Sequence, residues 1–75
     1  MFSSAFDRIT FDVDMMGGRA CIRGMRIPVS VIVGQIAHGA TPEEVLAEFP
    51  DLELADVEQA LRYAAWLAQE KVHVG

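Results

Sequence analysis

Apolar residues recur along this chain at two spacings, and the change of spacing divides it. Ile9-Thr10-Phe11 is short, β-branched and aromatic, which predicts a strand. Asp12 to Gly18 reads as a loop ended by a glycine pair. Ala20-Cys21-Ile22 and Met25-Arg26-Ile27 read as two further short strands, with Arg23-Gly24 between them as a two-residue hairpin turn. Pro28 cannot donate to a ladder, so the second of these strands should stop there.

From Val29 the period lengthens. Val29, Ile32, Val33 and Ile36 fall at i, i+3, i+4 and i+7, the stripe of an amphipathic helix that should end at Gly39. Thr41-Pro42-Glu43-Glu44 opens a second helix, with Thr41 as cap, Pro42 in the first turn and Glu44 completing a capping box. Val45, Leu46 and Phe49 should be its buried side, and Pro50 should stop it. A third helix is expected from about Leu54 to Gln69. Leu54, Val57, Leu61, Ala64 and Ala68 give it one continuous seam, and Ala60, Tyr63, Trp66 and Leu67 widen the apolar surface beyond that seam. The pattern therefore predicts an α+β single domain over residues 1–75. A β-arm (1–28) precedes a three-helix, helix-turn-helix-like unit (29–75).

A chain of 75 residues buries a modest core, yet 52% of its residues are apolar, so part of that surface is expected to meet a second copy in a homodimer. Cys21 is the one cysteine, which rules out an internal disulfide and suits a reducing cytoplasm. MFSSAF lacks a signal sequence's basic start and apolar length, and Ile27–Ile36 is too short and too broken to span a membrane.

The net charge of −5 is unevenly spread. Residues 1–39 set Asp7, Asp12 and Asp14 against Arg8, Arg19, Arg23 and Arg26, whereas residues 40–75 carry eight acids against Arg62 and Lys71. Three of the arginines lie in MGGRACIRGMRIPV (residues 16–29). They form either a contact surface for an anion or solvated arms paired with the chain's own acids, Asp7, Asp12, Asp14 or those of the third helix.

Catalytic chemistry finds little to work with. Cys21 reads as a buried hydrophobe, His38 as a helix C-terminal cation and His73 as a tail residue. Asp12 and Asp14 read as loop residues bonding their own backbone. No enzyme, metal or cofactor is expected. DNA reading by the third helix is opposed by Glu53, Asp56 and Glu58 at its start, which leaves Gln59 and Arg62 to reach base edges. The arginine-bearing ribbon, Arg19, Arg23 and Arg26, is the better candidate for DNA or protein.

Ile9-Thr10-Phe11-Asp12, GGRACIRGMRIPV and HGATPEEVLAEFPDLELADVEQALRYAA together resemble the domain-of-unknown-function 433 family over roughly residues 9 to 68. Val13 and Met25 depart from that family's pattern, which tends to proline and threonine there. The resemblance implies a β-hairpin joined to a homeodomain-like three-helix unit, a dimer, and an antitoxin of VapB type. Such an antitoxin would silence a PIN-like nuclease toxin and repress its own operator DNA. An arginine entering the nuclease's carboxylate cluster would take the place of its metal. Arg23 and Arg26 come first for that role, with Arg62 and Lys71 behind. Tyr63, Trp66 and Leu67 would anchor the partner or the sister subunit. The alternatives are a stand-alone DNA-binding regulator and a dimeric scaffold.

Overall fold

The computed structural model describes residues 6–14 and 16–72. Two strands, β1 (Ile9–Phe11) and β2 (Ala20–Ile22), pair antiparallel with Ile9 opposite Ile22 and Phe11 opposite Ala20. Three helices follow: α1 (Val29–Ala37), α2 (Pro42–Glu48) and α3 (Leu54–Val72). The result is the expected α+β fold, with one difference in the arm. Met25–Ile27 is not a strand: β2 pairs with β1 along one edge, and its other edge meets the return only at one point. The turn at Arg23-Gly24 does form, with φ of 45° and 72° and the Met25 N–H on the Ile22 carbonyl at 2.8 Å. Two positive φ values in succession are those of a tight I′ turn. Beyond it Ile22 N–H bonds Ile27 O, skipping two residues, so only a single bridge, Cys21 to Pro28, follows.

Local chemistry explains the helix ends. Gly39 takes φ 105°, its N–H bonds Ile36 O, and Ala40 N–H bonds Gln35 O, a Schellman closure that uses the last carbonyls of α1. Thr41 and Glu44 form the reciprocal capping box, with Glu44 N–H on Thr41 Oγ1 at 3.1 Å and Thr41 N–H on Glu44 Oε1 at 2.8 Å. The α2–α3 connection turns tightly through Pro50-Asp51, closed by Leu52 N–H on Phe49 O. Asp56, three residues after the cap position Glu53, accepts the Glu53 N–H at 2.8 Å and starts α3.

One hydrophobic cluster draws on every element: Ile9 and Ile22 from the strands, Val29 and Ile32 from α1, Val45 from α2, and Val57, Ala60 and Tyr63 from α3. The buried face of α3 differs from the expected seam. Leu54 is half-exposed and Ala68 is exposed, while Asp56, Val57, Gln59, Ala60 and Tyr63 are buried. The seam turned because the arm lies against α3 and claims the side that carries Asp56 and Gln59. Phe6 packs edge-on to Tyr63 at 5.3 Å between ring centroids, and Trp66 lies 5.9 Å from Phe6 and 6.2 Å from Tyr63. Tyr63 and Trp66 therefore serve the core, and Leu67 stays largely open.

Candidate functional site

Two features join the arm to the helices. The first is an ionic clamp around Asp56, whose side chain is fully withdrawn from water. Arg23 grips it with two donors, Nε on Oδ1 at 3.1 Å and Nη2 on Oδ2 at 2.9 Å, and also reaches the Asp51 carbonyl. Arg8 Nη1 adds a bond to Oδ1 at 2.8 Å and another to Glu53 at 2.9 Å. Burial alone would push the Asp56 carboxyl up. The bonds from Arg23, from Glu53 N–H and from Arg8 outweigh it and hold the group below its ordinary value. Both guanidinium pKa values are raised in turn, chiefly by their hydrogen bonds to Asp56. Gln59 extends the seam, taking Arg8 N–H on its Oε1 and donating Nε2 to Asp7 at 3.1 Å.

The second feature is an open groove of about 610 Å³ between arm, α1 and α3. Phe11, Arg19 and Ala20 form the arm side, Val29, Ser30 and Val33 the α1 side, and Tyr63, Ala64 and Leu67 the α3 side. Its lining is mostly apolar, with Phe11 and Leu67 partly in water. Arg19 is exposed and has no acidic partner among the described residues. The start of α1 lies on the same groove. Its cap position is Pro28, it has no side-chain cap, and no acid occupies its first turn.

The five residues expected to bind DNA or toxin are thus not brought together. Arg23 is held on Asp56 although its side chain is 38% exposed, and Gln59 is buried and engaged at both ends of its amide, so Gln59 is not presented to a base edge. Arg26 and Arg62 are exposed, on the return after the turn and on α3, away from the groove lining. Arg19 alone of the five lines the groove, and there it meets Tyr63 and Leu67 from the expected interface set. Lys71's side chain and His73 lie outside the described residues.

Cys21 is buried, Asp12 Oδ1 accepts the Asp14 N–H at 2.9 Å, and His38 Nδ1 lies 2.7 Å from Gly34 O at the end of α1. Sequence reasoning left open a pairing of the arm arginines with acids of the third helix, the one Arg23 makes with Asp56, but passed over Arg8 as a second partner. The signal was present in the spacing: Asp56 is in phase with Ala60 and Tyr63, so a carboxylate on that stripe needed a cation.

Fold and groove define a small α+β module with an open, mostly apolar groove. Among the described residues, no helix is long and apolar enough to cross a membrane. Residues 9–64 match the family described as protein of unknown function DUF433, and the chain belongs to that family. It is similar to the uncharacterised protein y4eO of Sinorhizobium fredii, 31% identical over 62 residues, which is 83% of this chain and 28% of that protein. It is also similar to the crystal structure of a DUF433 member from Anabaena variabilis, with a TM-score of 0.77 and 33% identity. That match covers 84% of this chain and 62% of the other. The chain thus spans less than two thirds of the length of either relative.

Proposed function

We propose that this chain is the antitoxin of a toxin–antitoxin pair, acting in the cytoplasm by binding and silencing a PIN-like nuclease toxin, and without catalysis of its own. The observation that carries this reading is the groove. It brings Arg19, which has no acidic partner among the described residues, beside an exposed leucine, Leu67, and a half-exposed aromatic, Phe11. Such a surface suits a protein whose contact region mixes apolar residues with carboxylates, as a metal-binding nuclease does. Arg26 and Arg62 remain exposed for secondary contacts, while Arg23 acts inside the fold.

Repression of its own operator is the second part of the reading. The start of α3 presents Glu53 and Glu58 to solvent and keeps Gln59 buried, so α3 is a poor reader of DNA. Any operator contact would fall to Arg19 and Arg26, presented twice in a homodimer.

Co-expression with the product of the neighbouring reading frame tests the reading. A stable complex that restores growth to cells expressing the toxin is expected. Separate elution of the two proteins removes the antitoxin role. A gel shift on the upstream DNA across a salt series tests repression, and a salt slope near zero removes it.

A further inference from the structure

We infer that a second copy of this chain docks on the outer edge of β1, so that two arms join through their β1 strands into one four-stranded antiparallel sheet. This contact stands whether or not the chain meets a toxin.

The ladder fixes which backbone groups look outward. Arg23 N–H bonds Arg8 O at 2.8 Å, on the side of β1 that faces β2. Bonded and non-bonded pairs alternate in an antiparallel ladder, so the next bonded pair is Thr10 with Cys21. Ile9 and Phe11 therefore turn their N–H and C=O groups away from β2. Ile22, opposite Ile9, likewise sends its N–H away from β1, to Ile27 O. Ile9 N–H is used by Phe6 O at 3.0 Å. Among the described residues, nothing receives the Phe11 N–H, and nothing donates to the Ile9 or Phe11 carbonyl. Unpaired strand groups of this kind take another strand. No proline or bulge blunts β1, and Phe11 is 54% exposed.

Charge selects the occupant. Arg8-Ile9-Thr10-Phe11-Asp12 is its own antiparallel complement. A twofold axis at Thr10 sets Ile9 opposite Phe11 of the second copy, and each Phe11 N–H then meets an Ile9 carbonyl across the axis. The same register sets Arg8 opposite Asp12 twice, as non-bonded pairs, where facing side chains lie closest. A parallel alignment would instead put like charges together. Asp12 is exposed, and Arg8 holds Asp56 and Glu53 through Nη1 only, which leaves Nη2 for the second copy. Such a contact is isologous and closes at two copies. With three strand residues from each copy it is small, so it belongs to the transient class.

The test is sedimentation of the full chain from about 10 μM to 1 mM, a range that captures weak association. A monomer–dimer equilibrium is expected. Phe11→Pro removes the outward N–H, a change an edge strand tolerates, and should leave a monomer throughout. Phe11→Leu keeps the N–H and should still dimerise. Asp12→Lys, at an exposed position, sets two cations against Arg8 and should weaken the dimer by about ten-fold. Melting curves verify that each variant folds. In a mixture of ¹³C-labelled and unlabelled wild type, a cross-copy NOE between the two Thr10 Hα protons is expected, because these face each other at the axis. A wild type that stays monomeric to 1 mM overturns the pairing. So does a dimer without the Thr10 NOE, one that survives Phe11→Pro or Asp12→Lys unchanged, or one that Phe11→Leu abolishes. A dimer broken by Leu67→Asp and indifferent to Phe11→Pro also overturns it and moves the second copy to the groove.

Discussion

Arg23 and Asp56, 33 residues apart in sequence, meet through two parallel hydrogen bonds of 3.1 and 2.9 Å. The contact joins the turn of the arm to the first turn of α3. Arg23 stands at φ 45°, a left-handed backbone position that costs a non-glycine residue energy. Its fork on a buried carboxylate offsets that cost and holds the arm at the side of the helices, where the groove forms.

Asp56→Asn should therefore destabilise the fold more than any surface change. It removes charge from the acceptor of both arginines and of the Glu53 N–H. The loss should be about 2–3 kcal/mol, the scale of hydrogen bonds to a charged group. Arg23→Met should cost less, because the half-exposed arginine also loses a hydration shell it can regain in the unfolded chain. Urea unfolding midpoints measure both, and equal midpoints for Asp56→Asn and the wild type would refute the clamp.

The same carboxylate sets a pH dependence. Its folded pKa lies below its unfolded one, so the stability it contributes is complete above the unfolded value, about 3.9 for aspartate, and fades as pH falls through the folded value. The arginines stay charged throughout. Unfolding free energy should thus drop with acid below roughly pH 5, and Asp56→Asn should flatten the drop. A parallel slope in wild type and variant between pH 3 and 7 would assign the acid sensitivity to other groups.

Thr41→Ala should cost about 1 kcal/mol by opening the capping box at the start of α2. Glu44→Ala should repeat part of that loss, and the double variant should lose less than the sum, since the two side chains serve one cap. Thermal melting of the three variants checks the cycle.

Gly39→Ala should cost about 1–2 kcal/mol through the backbone alone. The φ of 105° is strained for any side chain, while nothing lies within 4 Å of where the Cβ would stand. Gly34→Ala, inside α1 with equally open space, should instead leave stability unchanged or raise it. Opposite signs for the two glycines in the same melting experiment are the expected result.

Arg19→Glu and Leu67→Asp should leave the fold intact, within about 0.5 kcal/mol, because both positions face solvent. On the proposed function, each should nevertheless weaken capture of the proposed partner by roughly ten-fold or more, as removal of an anchor at an interface does. A loss of binding that tracks a loss of melting temperature would place both residues in the fold instead.

The parts whose causes are neighbours along the chain could be read from the residues alone. The closure of α1 at Gly39, the Thr41-Pro42 start of α2, the stop at Pro50 and the Arg23-Gly24 turn all depend on groups within about five residues of one another, so spacing and residue type suffice. Which face of each element turned inward depended on packing between distant segments. Met25–Ile27 had the composition of a strand, but the bond from Ile22 N–H to Ile27 O leaves Met25 and Arg26 looped out of the ladder. The apolar positions of α3 allowed more than one buried side, and the arm chose the side holding Asp56 and Gln59. Of three arginines that look alike in the run from Gly17 to Pro28, one went to a buried acid, one to open solvent and one to the groove. A long side chain finds its counter-charge through space, and which acid lies within reach is set by the path of the whole chain.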